Sequence, residues 1–105
     1  MDQLPSLTPE EAAGIGRALG HPVRLRILTI LGRRTECYCG DLCQEFDLAQ
    51  STISQHLKVL REAGLIRATP CGTAVGYCVI PERLACYRLW LEGLETGPVS
   101  TFLAT

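Results

Sequence analysis

The chain of 105 residues and 11.5 kDa is 47% apolar and 20% charged, with a mean hydropathy of +0.16. This excludes a disordered segment and allows one small domain. A net charge of −1 and a pI near 6.1 deny it the overall basic footprint of many nucleic-acid binders, so any such role must rest on local features.

Thr8-Pro9-Glu10-Glu11 opens a first helix, with Thr8 as cap, Pro9 at the first position and Glu11 completing a capping box. Ala12, Ile15, Ala18 and Leu19 make one apolar stripe, which Gly20 ends. Gly14, Gly16 and Gly20 are no dinucleotide loop, because the third glycine falls one residue late and no strand precedes them. Gly14 and Gly16, inside the helix, fit the close approach of another helix. Pro22 opens a second helix with Val23, Ile27, Ile30 and Leu31 on one side and Arg24 and Arg26 on the other, ending at Gly32. His21, just ahead of Pro22, suits a capping role. A short third helix is expected from about Cys39 to Phe46, followed by a tight turn over 47–49. A fourth helix runs from Gln50 to Ala63, with Ile53, Leu57 and Leu60 at helical spacing and Gly64 as its stop.

After Gly64 the period changes. Residues 65–69 and 74–80 read as two strands about a turn at Pro70-Cys71-Gly72-Thr73. Pro81 breaks the second strand and starts a fifth helix, Glu82 to Leu94, apolar through Leu84, Trp90, Leu91 and Leu94. The expectation is a single domain over 1–105, with an ordered core at 7–94 and a tail over 97–105. No repeat or low-complexity tract divides it.

Helix, three-residue turn, helix and hairpin is the layout of a winged helix-turn-helix. The predicted fold is therefore mainly α, with five helices and a two-stranded wing. The second helix of such a pair lies in the major groove, and here its outward face carries Gln50, Ser51, Thr52, Ser54, Gln55, Lys58 and Arg61. Glutamine can pair bidentately with adenine, serine and threonine with base edges or phosphate, and Lys58 and Arg61 with phosphate. His56, on the same helix, packs or meets phosphate. Residues 48–61 hold two basic residues and no acid, whereas residues 1–47 hold five basic against seven acidic. A polar, solvated helix face would explain each residue alone. The turn, the hairpin and the local shift of charge together favour double-stranded DNA.

The stretch from Arg17 through Gly20-His21-Pro22 to Leu28, and the block Gln50-Ser-Thr-Ile-Ser-Gln-His-Leu-Lys-Val-Leu-Arg-Glu-Ala-Gly-Leu65, resemble the ArsR/SmtB family of metal-responsive repressors. The likeness spans roughly residues 10–94. It implies a homodimer, joined through its first and last helices and bound to a palindromic operator. A face buried in such a dimer would account for an apolar share that is high for so small a chain. Wings of the family usually carry basic residues; residues 70–75 have none, so little phosphate binding is expected from this wing.

Six cysteines raise a separate question. A disulfide framework needs an oxidising compartment, yet the first residues lack the basic and apolar segments of a leader, and no apolar run is long enough to span a membrane. The expectation is a cytoplasmic protein without membrane contact, whose thiols are reduced and bind metals or react. Cys37, Cys39 and Cys43 fall within seven residues at the entrance of the third helix. There Cys39 and Cys43 would share one helix face, and the helix N-terminus would lower the Cys39 pKa. A soft ion is the natural ligand, As(III) or Sb(III) first, with Cd(II), Pb(II) and Hg(II) close behind.

Arsenite sensors of the resembled family carry Cys-Val-Cys-Asp-Leu-Cys at this place. Here the run is Cys37-Tyr-Cys-Gly-Asp-Leu-Cys43, so only Cys43 keeps its register against Asp41-Leu42. A thiol redox or persulfide switch is the alternative. A small thiol oxidoreductase is another, although it would want Cys-x-x-Cys near a βαβ unit. Simple packing is the third explanation, and it is the reading for Cys78 in a strand and Cys86 on the last helix. Cys71, in the turn, reads as a spare thiol. The last helix lacks the paired Asp and His ligands of the family's zinc sensors.

Overall fold

A computed structural model describes residues 4–95; the tail expected from residue 97 lies outside them. The elements run α1 (Pro9–Leu19), α2 (Pro22–Gly32), a 3-10 turn (Leu42–Glu45), α3 (Gln50–Glu62), β1 (Ile66–Cys71), β2 (Ala74–Val79) and α4 (Pro81–Leu94). There are thus four α-helices among the described residues, not five. The helix expected over 39–46 is reduced to one 3-10 turn. Asp41 supplies the reason: its carboxylate accepts the Cys43 amide at 2.9 Å and caps the turn there, two residues past Cys39.

Both helix entrances at the N-terminal end form as their residues dictate. The Thr8 hydroxyl accepts the Glu11 amide at 3.1 Å while the Glu11 carboxylate accepts the Thr8 amide at 2.9 Å, a complete capping box. At α2, His21 Nδ1 accepts the Val23 amide at 3.1 Å. α3 closes on Gly64, whose φ of +78° only glycine takes easily. The Gly64 amide then reaches the Arg61 carbonyl and the Leu65 amide the Leu60 carbonyl, both at 3.0 Å. That pair of bonds satisfies two of the last carbonyls of the helix and turns the chain straight into β1.

The hairpin is tighter than its sequence implies. β1 runs through Pro70 to Cys71, leaving a two-residue loop at Gly72 and Thr73, with Gly72 at φ +64°. β1 and β2 are antiparallel, with Thr69 opposite Gly76 and Cys71 opposite Ala74. Tyr38, from the segment before the 3-10 turn, bridges to Tyr77 on the other edge of β2 through two backbone bonds of 2.8 and 3.0 Å. The core lies among α1, α2, α3 and the start of β1, where Ile15, Ile27, Leu60, Leu65 and Ile66 are fully buried. α4 adds one buried residue, Cys86, and leaves Leu89, Leu91 and Leu94 exposed. No helix among the described residues is long and apolar enough to cross a membrane.

Candidate functional site

α3 buries Ile53, Leu57 and Leu60 at intervals of four and three residues, so one side of the helix is anchored. The opposite side is consequently free, and Gln50, Ser51, Thr52, Ser54, Gln55, Lys58 and Arg61 are all exposed along it. Seven of the eight residues picked out as DNA contacts therefore share one solvent-facing surface, free of acidic side chains up to Glu62.

His56 is different: it is half-buried, and its Nδ1 lies 3.2 Å from the Arg24 guanidinium. Arginine only donates, so that nitrogen accepts and the ring is neutral with its proton on Nε2. The same guanidinium donates from Nε to the Ala18 carbonyl at 2.7 Å and from a terminal nitrogen to the Arg17 carbonyl at 2.9 Å. Arg24 thus donates to two of the last carbonyls of α1 and fastens α2 to the DNA-facing helix. Its place on the polar side of α2 gives little hint of this, because all three acceptors lie on other helices.

Burial, then the neighbouring His21 and Arg24, hold the His56 pKa below the ordinary imidazole value of 6.5. A depressed folded pKa means that the unfolded chain binds the proton more readily. The stabilisation is therefore complete above about pH 6.5 and is lost as pH falls through the lower folded value. The unfolding midpoint is expected to drop on acidification across that window, and His56→Gln to flatten the drop. Thermal melts at pH 7.5, 6.5 and 5.5 test this, and equal slopes in both proteins would count against it.

The cysteines are rearranged relative to the sequence expectation. Because Tyr38 faces Tyr77, Cys37 lies opposite Cys78 and Cys39 opposite Gly76. Cys37 and Cys78 are joined as a disulfide with a Cα separation of 4.5 Å, and Cys39 and Cys71 with one of 6.1 Å. Cys78, read as packing, and Cys71, read as a spare thiol, are instead the partners of the two loop cysteines. Side chains alternate along strands, so all four project from one face of the wing while Tyr38 turns into the core. Gly76 makes this possible: a Cβ there would stand 3.1 Å from Cys39 Sγ, across the path to Cys71.

Cys43 sits apart on the 3-10 turn as a free, half-buried thiol, and Cys86 is free and buried. Burial, followed by the Asp41 carboxylate, pushes the Cys43 pKa up. With the turn starting at Leu42, no helix N-terminus stands at Cys39 to activate it. Among the described residues, no three or more His, Cys, Asp or Glu side chains converge as a metal site. Cys39 and Cys43 do line one cavity of about 420 Å³, together with Gln50 and Ser54 of α3 and Val75 and Tyr77 of the wing.

Comparison with known proteins agrees with this geometry. Residues 19–68 match the model of a helix-turn-helix domain. The chain is 38% identical over 76 residues to the HTH-type transcriptional regulator MJ1325 of Methanocaldococcus jannaschii, covering 71% of this chain and 84% of that one. It is 42% identical over 73 residues to the HTH-type transcriptional regulator CmtR of Mycobacterium tuberculosis, covering 70% of this chain and 61% of the relative. The NMR structure of that protein, described as a cadmium metal-sensor, superposes with a TM-score of 0.54 at 39% identity over 72% of this chain and 75% of that one. A crystallised ArsR-family transcriptional regulator superposes with a TM-score of 0.75 at 26% identity over 87% of this chain and 93% of that one. These relatives are regulators rather than enzymes, which sets aside the oxidoreductase alternative. With its exposed polar α3 face and its wing, the chain belongs to the ArsR/SmtB family of winged-helix, DNA-binding transcriptional regulators.

Proposed function

We propose that this chain is a homodimeric repressor that holds a palindromic operator when free and leaves it when a thiophilic metal(loid) bonds to thiolates of the 37–43 segment. Arsenite and antimonite head the list of effectors, followed by Cd(II), Pb(II) and Hg(II), with Cys37, Cys39 and Cys43 as the thiolates. The observation that carries the reading is the cavity shared by Cys39 and Cys43 with Gln50 and Ser54. An ion bonded there touches the N-terminal end of the helix meant for the groove. Coupling of this kind is reciprocal and typically about 1–3 kcal/mol, so the DNA complex must also bind the ion less tightly. The description of CmtR as a cadmium sensor supports the class of effector. The dimer is supported by α4, where Leu94 is 66% and Leu89 47% exposed, an apolar face for a second copy.

The experiment is a mobility-shift assay on a duplex selected by the reduced protein from a random library. Arsenite is expected to release the wild-type protein, and serine at Cys37, Cys39 and Cys43 together to abolish release. Normal release from each of the three single variants and from the triple variant would refute the ligand set.

A second reading is favoured by the two cysteine pairs. Each dithiol can give up two protons and two electrons to a hydroperoxide, which leaves as alcohol and water, and close as a disulfide. Oxidation would then replace the ion as the signal. Release of DNA by a hydroperoxide, with reversal by a phosphine reductant, separates it from the first.

A further inference from the structure

The two cross-strand cysteine pairs have chemistry beyond the 37–43 segment. The bridge through Tyr38 and Tyr77 exchanges both backbone hydrogen bonds, so the next pair along, Cys37 and Cys78, is of the non-hydrogen-bonded kind. In such pairs opposed side chains stand closest, with Cα atoms about 4.5 Å apart, and the separation here is 4.5 Å. On the other side of the bridge, Gly76 withholds a side chain, and Cys39 reaches diagonally over it to Cys71 on β1. When reduced, the face therefore carries two dithiols, and among the described residues no third His, Cys, Asp or Glu converges with either.

That geometry selects a ligand needing two sulfurs set side by side. A trivalent arsenic centre is pyramidal and accepts two thiolates in that way, keeping a hydroxyl or an organic group in its third position. Hg(II) prefers its two sulfurs at opposite ends of a line, and a tetrahedral ion asks for four ligands around one point. We infer that Cys37 with Cys78, and Cys39 with Cys71, form two dithiol sites for trivalent arsenicals, so that the wing supplies half of the ligands. At each site two As–O bonds break and two As–S bonds form. The two thiol protons leave with the displaced oxygens as water, and no electron is transferred. This rests on the thiophilic reading above and changes its ligand set from Cys43 to the wing.

The consequence for regulation is mechanical. The 37–39 segment leads directly into the 3-10 turn that begins the helix-turn-helix, whereas Cys71 and Cys78 belong to the hairpin beside it. Arsenic bridges at both pairs clamp these two parts together, with Cys39 lining the cavity that α3 borders. The clamp sets the position of the wing relative to the DNA-facing helix, and DNA is released because that position changes.

The test uses the full chain reduced with a phosphine, and phenylarsine oxide, which offers two exchangeable positions on arsenic. Intact-mass measurement is expected to show two adducts per chain, with free thiols falling from six to two, Cys43 and Cys86. Cys71→Ser and Cys78→Ser should each lose one adduct, and Cys43→Ser should keep both. In the mobility-shift assay the Cys71→Ser/Cys78→Ser protein should bind DNA as the wild type does yet resist release. A single wild-type adduct that survives both wing substitutions and disappears in Cys43→Ser would overturn the wing sites and leave the thiophilic reading standing. No adduct and no release in the wild type would defeat the thiophilic reading itself. Should the serine variants misfold, Gly76→Ala gives an independent check, because the added Cβ would stand 3.1 Å from Cys39 Sγ and should remove the Cys39–Cys71 adduct.

Discussion

Gln55→Ala is expected to weaken binding to a selected operator by roughly 5–150-fold per half-site, the equivalent of about 1–3 kcal/mol for a lost bidentate base contact. Gln55 is exposed on α3, one turn from Ser51 and two residues past the buried Ile53 that fixes the helix. Its amide presents one donor and one acceptor side by side, which matches the edge of adenine. Affinity for scrambled duplex should hardly change, because the phosphate-directed charges of Lys58 and Arg61 remain in place. Fluorescence anisotropy on both duplexes, at one fixed salt concentration, measures the two losses. Equal weakening on both would show that Gln55 positions the protein and does not read sequence.

Leu60→Ala is expected to cost about 2–5 kcal/mol of stability, the range for a buried leucine replaced by alanine. Leu60 is fully buried at the centre of the core and belongs to the same helix that presents the DNA contacts. Domains of this size have only about 5–15 kcal/mol in hand, so the midpoint of thermal unfolding should fall by more than roughly 10 °C. Leu48→Ala, at a site 39% exposed in the turn before α3, should leave the midpoint almost unchanged. Comparable losses from the two substitutions would mean that α3 is not anchored through its inner face.

Local rules made most of the helical frame legible. Thr8, Pro9 and Glu11 announce α1 because capping is decided within four residues, and His21 with Pro22 does the same for α2. The inner stripe of α3 and the residues left outside it follow from periodicity alone. What escaped depends on contacts between distant parts of the chain. The helix expected over 39–46 has plausible local spacing, yet the Tyr38–Tyr77 bridge draws its first residues into extended backbone and Asp41 restarts the chain as a 3-10 turn. Cys71 and Cys78 looked unremarkable for the same reason, since their partners lie 32 and 41 residues away. One signal was available: Cys37, Cys39 and Cys78 occupy alternate positions of extended segments, and a glycine at 76 sits where a side chain would block a crossing. Arg24 was invisible because its role is to join the end of α1 to His56 on α3, which only the folded chain brings together.

A two-stranded ribbon in water is marginal by itself, and a third strand is what normally makes such a sheet persist. With Cys37–Cys78 and Cys39–Cys71 reduced, the third strand is little more than Tyr38, whose two backbone bonds hold it to β2. Amide exchange on the reduced chain should therefore single out Tyr38 and Tyr77 as a coupled pair, opening together and far more often than the amides near Leu60. Whatever closes that narrow seam raises the persistence of the whole ribbon, and whatever opens it frees the ribbon's outer edge to move independently of the helices.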